Sequence, residues 1–131
     1  MKHPLVALAL LLILGCAREW KDPLTTIPAK EVDIVHLLAN TINYDGAGVT
    51  VEGRVWHVEK KTAHTKEGEI PYTLFMLADR DGHGVGVYTI GHITIADGDF
   101  AEVTGLFRRS YKTETHSFNK EIEAVRVEVK Q

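Results

Sequence analysis

The order of apolar and polar residues divides the chain into three regimes. From Leu5 to Leu14 ten consecutive residues are Leu, Val, Ala or Ile. From Ala29 to Asn40 apolar positions recur three and four apart: Val32, Val35, Leu38 and Ala39 share a face that Ile34 and Leu37 widen. This predicts one amphipathic helix. Asn40 and the N-Y-D-G string at Asn43 to Gly46 end it, because Asn, Asp and Gly enter turn conformations at little steric cost.

Beyond Gly48 the period becomes two. Val49, Val51 and Val55 alternate with Thr50, Glu52, Arg54 and Trp56, and Gly53 marks a bulge or sharp bend in this first strand. Tyr72 to Ala78 and Val85 to Ile90 form the second and third strands, joined through D-R-D-G as a hairpin. A connection, G-H-I-T-I-A-D-G-D, leads to a fourth strand from Phe100 to Phe107. The fifth runs from Ile122 to Val129, with Val125, Val127 and Val129 facing one way and Arg126, Glu128 and Lys130 the other. Five strands with no strand-helix-strand repeat predict a mainly β fold, a small closed barrel with an N-terminal helix.

The apolar run at the start is too short to span a bilayer. Ten residues at about 1.5 Å each cover half of a hydrocarbon core of roughly 30 Å, and the positive start at Lys2 fits a cleavable secretory signal over residues 1–15. The string I-L-G-C at Ile13 to Cys16 resembles the lipobox of bacterial lipoproteins. That resemblance implies a diacylglycerol on Cys16, cleavage just before it, and a chain held in the cell envelope. Ala17, where some bacteria read Asp as a retention signal, implies the outer membrane in a host with two. Cys16 is the single cysteine, so no disulfide forms within one molecule, and lipidation accounts for it better than packing. Residues 16–28 then read as the lipidated Cys and a tether: Ala17 to Pro28 carries charges, two prolines and no period. Trp20 suits either the membrane interface or the domain. The domain itself occupies 29–131.

The whole chain carries 15 Lys and Arg against 18 Asp and Glu; loss of Lys2 with the leader makes the mature chain slightly more acidic. This balance argues against a general nucleic-acid binder, which carries excess positive charge. The mature length suits one compact domain.

Helix, then Y-D-G-x-x-V-T-V-E-G-R-V, then F-M-L-A-D-R-D-G, then D-G-D-F-A-E-V-T-G-x-F is similar to the minimal OB-fold of bacterial envelope proteins related to tRNA-anticodon-type barrels, over Ile34 to Val129. The resemblance implies a five-stranded OB barrel that binds on the outer face of strands two and three, between two loops. One loop, Lys60 to Pro71, holds Lys60, Lys61, His64 and Lys66 against Glu67 and Glu69. The other, Arg108 to Phe118, holds Arg108, Arg109, Tyr111, Lys112 and His116 against Glu114. Both are locally basic. One reading is a groove for an anionic partner, with Arg108 and Arg109 as forked donors and Trp56 and Tyr111 as stacking surfaces. The plainer reading is two solvated loops.

Six histidines remain after cleavage, and His83 and His92 flank the third strand, but no H-x-x-x-H, H-E-x-x-H or C-x-x-C-H string occurs, so no metal or haem site is assigned. D-R-D-G and D-G-D lack the length and terminal Glu of a calcium loop and read as turns. Ser110 and Ser117, the chain's two serines, lie in no nucleophile elbow. The expectation is therefore a non-enzymatic, lipid-anchored module with no cofactor, binding an envelope protein. The rival classes are a haem or metal carrier and a binder of an oligonucleotide or anionic glycan.

Overall fold

A computed structural model describes Arg18–Lys21, as backbone, and residues 27–130; the leader and Cys16 lie outside the described residues. Among the described residues, no helix is long and apolar enough to cross a membrane. The strands are β1 (Arg18–Lys21), β2 (Lys30–Glu31), β3 (Gly48–Thr65), β4 (Gly68–Ala78), β5 (Gly84–Ile90), β6 (Phe100–Lys112) and β7 (Ser117–Lys130). The helices are α1 (Ile34–Ala39) and α2 (Thr41–Tyr44).

Five strands close a ring. β3 pairs with β4, β4 with β5, β5 in parallel with β7, β7 with β6, and β6 again with β3. β3 closes it by changing partner: Gly48 to Arg54 ladder with β6, and Arg54 onward with β4. Gly53 sits at the changeover, where a Cβ would lie 2.5 Å from the Ala78 carbonyl oxygen, so the close approach requires glycine. Of the bulge or sharp bend expected at Gly53, the bulge lies further on, between Trp56 and Glu59, where His57 takes φ 53°.

Inward-facing Val49, Val51, Phe75, Leu77, Val87, Val103, Phe107 and Ile122 fill the barrel, joined by Ile34 and Leu37 from α1 and by Ile93 and Ile95 from the β5–β6 connection. Each fully buried side chain of this size contributes about 1.5–3 kcal/mol. In β7 the inward set is Ile122, Ala124, Val127 and Val129. Val125, expected among them, is the extra residue of a bulge, because Thr104 pairs with Arg126 and Gly105 with Ala124. Gly105 there has no room for a Cβ, which would meet the Glu123 carbonyl oxygen at 2.3 Å.

Three elements differ from the sequence pattern. The helix begins at Ile34, not Ala29, because Lys30–Glu31 pair in parallel with β3 and the Val32 N–H donates to the Thr50 carbonyl at 3.0 Å, holding Asp33 extended. The stretch read as tether contains β1, antiparallel to β7, so the sheet has seven strands and not five. And both expected basic loops are hairpin arms, since β3 and β4 run on to a turn at Lys66 and Glu67, and β6 and β7 to a turn at Thr113–His116. The arms are exposed on both faces over much of their length, so they carry no apolar period; the backbone ladder forms them.

Candidate functional site

Because Val55, Phe75, Leu77, Val85 and Val87 point into the barrel, their neighbours in β3, β4 and β5 point outward. Cross-strand register sets them in rows. Trp56 lies opposite Met76, which lies opposite Gly86; Glu59 opposite Leu74, opposite Tyr88; Lys61 opposite Tyr72, opposite Ile90. Trp56 is 50% exposed, Met76 37% and Ile90 53%, so this outer face presents large apolar side chains to solvent.

Tyr88 is an exception on that face, at 3% exposed. The β6–β7 arm covers it. The His116 ring stacks on Tyr88 with centroids 5.1 Å apart, Phe118 meets Tyr88 edge-on at 5.1 Å, and the Tyr88 hydroxyl hydrogen-bonds the Thr115 hydroxyl at 2.8 Å. Lys120, at φ 54°, marks a local departure of β7 from regular extended geometry beside this contact. Burial pushes the Tyr88 hydroxyl above the usual tyrosine range; the Thr115 bond works against this and the Glu123 carboxylate and Tyr72 add to it. His116 Nε2 donates to Glu121 Oε1 at 3.0 Å, and that oxygen also accepts the Asn119 N–H.

No protein-family model and no curated protein matches the sequence. Solved structures do match the fold. The chain is similar to the OB domain of Ta0387 from Thermoplasma acidophilum, at TM-score 0.51 and 12% identity, over 79% of this chain and 88% of that one. The fold is an OB barrel. A small single-stranded DNA-binding protein from Streptomyces coelicolor is also similar, at TM-score 0.41 and 13% identity, over 63% of this chain and 91% of that one. At such identities the likeness concerns the fold and not the ligand.

The OB barrel distributes the sequence-predicted residues unevenly. Trp56 and Lys61 lie on the outer face. Lys60 and His64 alternate with Lys61 and point to the opposite face of their arm, where His64 faces Glu69 at 3.6 Å. Arg108 is engaged: its Nε and Nη2 both reach Glu123 Oε1 at 2.9 Å, and its guanidinium lies 4.2 Å from the Tyr111 ring centroid. Arg109 points the other way from Arg108, and its N–H donates to Asp45 Oδ1. The two arginines therefore form no forked pair, and Tyr111 is stacked by Arg108. Lys112 stays exposed on the last rung, opposite Ser117.

Met76, Leu74, Tyr72, Tyr88 and Ile90 were absent from the expected site, although the outward parity of strands two and three contains them. Absent too were Glu59, Glu121 and Glu123, which make the surroundings of the face mixed in charge and not basic.

The remaining candidates lie apart from this face. His83 and His92 do not meet: His83 Nδ1 donates to Asp79 Oδ2 at 3.0 Å and His92 Nε2 to the Lys61 carbonyl at 2.8 Å. Asp79 Oδ1 accepts the N–H groups of Asp81 and His83, which is the turn chemistry expected of D-R-D-G. Desolvation raises the Asp79 pKa, but these bonds and the His83 ring outweigh it and hold the carboxyl below its ordinary value. Asp79, Asp81 and His83 each offer a ligand atom within 4.8 Å of the others, at an exposed turn. Ser110 and Ser117 lie on the β6–β7 arm, and among the described residues neither is hydrogen-bonded to a histidine.

Proposed function

We propose that this chain is an envelope lipoprotein, anchored through lipid on Cys16, whose OB barrel is a non-enzymatic docking module for another envelope protein. The observation that carries the docking role is the outer face itself: Trp56 and Met76 are exposed side by side on adjacent strands, with Ile90 exposed further along the same face beyond the covered Tyr88, at the surface where OB barrels bind. A solvent-exposed tryptophan beside Met is the composition of a protein-contact patch. The charge around it is mixed, with Arg108 paired to Glu123 and Glu59 sharing the face with Lys61, and a surface that is not uniformly basic favours a protein partner over a polyphosphate or anionic glycan. The scatter of histidines across separate elements supports a reading without haem. The leader pattern and I-L-G-C support the anchor.

The test is a mild-detergent pull-down of the lipidated protein from its native membrane. A co-purifying envelope protein should be retained by Lys66→Ala and lost by Trp56→Ala, whose truncation costs about 2 kcal/mol or more, roughly thirtyfold in affinity. Recovery of the chain alone, or a partner indifferent to Trp56→Ala, overturns the docking role. Binding of single-stranded oligonucleotide that weakens steeply with salt replaces it with the nucleic-acid reading. Cys16→Ser should leave the membrane fraction.

A further inference from the structure

We infer that β1 is a membrane-apposing strand: by pairing with β7 it shortens the anchor, sets one end of the barrel against the lipid headgroups and turns the β6–β7 arm outward. This rests on the lipidation of Cys16 proposed above, and adds to it the geometry of the docked domain.

Reach is the first constraint. Twelve residues separate Cys16 from Ala29, and a free segment of that length extends to about 40 Å at roughly 3.3–3.6 Å per residue. In the structure Arg18 pairs with Val129, Glu19 with Glu128, Trp20 with Val127 and Lys21 with Arg126. With β1 in place, two residue steps, about 7 Å, join Cys16 to the sheet. A barrel on so short a lead cannot stand off from the bilayer that holds its lipid.

The strand has a reason to be there. β5 pairs with β7 through Gly86–Tyr88 against Glu121–Glu123, so from Arg126 onward that side of β7 is an open edge until β1 takes it. Unpaired edges of this kind recruit a strand, and the nearest one in this chain is its own N-terminal segment.

Direction follows from register. β1 is antiparallel to β7, so the chain enters at the Val129 end, beside the rung that pairs Phe100 with Lys130. The Thr113–His116 turn lies at the other end of β6 and β7. The membrane-side end carries the Arg54 guanidinium 5.3 Å from the Phe100 ring centroid, a cation and aromatic pair suited to headgroup level, and the exposed Lys130, whose Nζ lies 3.5 Å from Glu102 Oε2.

The experiment uses the lipidated full-length mature protein in vesicles of phosphatidylethanolamine and phosphatidylglycerol containing a headgroup-labelled acceptor lipid. With Cys16 acylated, a thiol introduced as Lys130→Cys or Glu114→Cys is the sole site for a donor dye. Energy transfer should be higher from position 130 than from 114. The Glu19→Pro/Trp20→Pro pair removes whichever N–H faces β7, and it lies outside the closed ring, so the barrel's circular dichroism should be unchanged. Transfer from position 130 should then fall roughly twofold or more as the reach grows toward 40 Å. A six-residue Gly/Ser insertion between Ala17 and Arg18, which leaves β1 intact, should lower it as well. Equal transfer from both labels, or transfer unchanged in both variants, overturns the inference while leaving the anchor standing. A parent protein that does not sediment with the vesicles overturns the anchor, and the inference with it.

Discussion

The two hairpin arms began as equivalent stretches of sequence and became different structures. Each is polar, locally basic and closed by a short turn. The β6–β7 arm carries Tyr111, His116 and Phe118, and these rings turn it into a cover: Phe118 is buried, His116 stacks on Tyr88, and Thr113 and Thr115 exchange hydrogen bonds beneath the turn. The β3–β4 arm carries Thr62, Ala63, Thr65 and Ile70 at comparable places. It is held by its own ladder, by the His92 bond to the Lys61 carbonyl and by the Thr65 hydroxyl on the Gly68 carbonyl. Charge therefore does not decide which arm joins the barrel. Aromatic area does, because a ring brings far more apolar surface out of water than a Thr or Ala at the same register.

The largest effect should come from removing that area. Phe118→Ala should destabilise the protein by about 3–5 kcal/mol in urea unfolding, whereas Ile70→Ala on the other arm should cost under about 1 kcal/mol. Equal costs would mean that both arms are fixed alike and the comparison fails.

Tyr88→Phe comes next. It keeps the ring and removes the hydroxyl bonded to Thr115, at a cost of about 0.5–1.5 kcal/mol, with faster amide exchange at Thr115 and His116 but not in the β3–β4 arm. The same variant has a pH signature. The folded Tyr88 hydroxyl ionises above the ordinary tyrosine value, so its contribution is complete below that value and is lost as pH rises through the folded one, because the unfolded chain ionises first. Stability of the parent should thus decline at alkaline pH more than that of Tyr88→Phe. Parallel declines would place the hydroxyl in water and open the arm.

Much of this was legible before the fold was known. The alternation at Val49 to Val55 and the apolar runs at Tyr72 to Ala78 and Val85 to Ile90 mark core strands, and the Asp79 turn announces itself, since these signals are local. The arms were not legible as strands because their side chains are wet on both faces and give no period. His57 holds positive φ at a shift of register between β3 and β4 that no local string carries. Val125 was misplaced for the same reason, because it is the extra residue of a bulge in β7. The site was half legible. Trp56 and Lys61 belong to the outer face, but the fate of Arg108 depended on Glu123, fifteen residues away and a neighbour solely through the β6–β7 ladder. β1 left no trace in the pattern, since pairing with the backbone edge of β7 from Arg126 to Val129 follows from no apolar period.

The smallest expected effect separates the ion pairs of the two arms. Arg108 and Glu123 are partly buried, share two short contacts and are held by the Tyr111 ring, whereas His64 and Glu69 are largely in water at 3.6 Å. Fixing two long side chains costs conformational entropy, which an exposed pair regains poorly in high dielectric. A double-mutant cycle on Arg108→Gln and Glu123→Gln should give a coupling of about 0.5–1 kcal/mol, diminished by salt, and the same cycle on His64→Ala and Glu69→Ala should give about zero. A coupling as large at His64 as at Arg108 would show that the β3–β4 arm is as ordered as its counterpart, and the distinction between a covering arm and a free one would have to be drawn elsewhere.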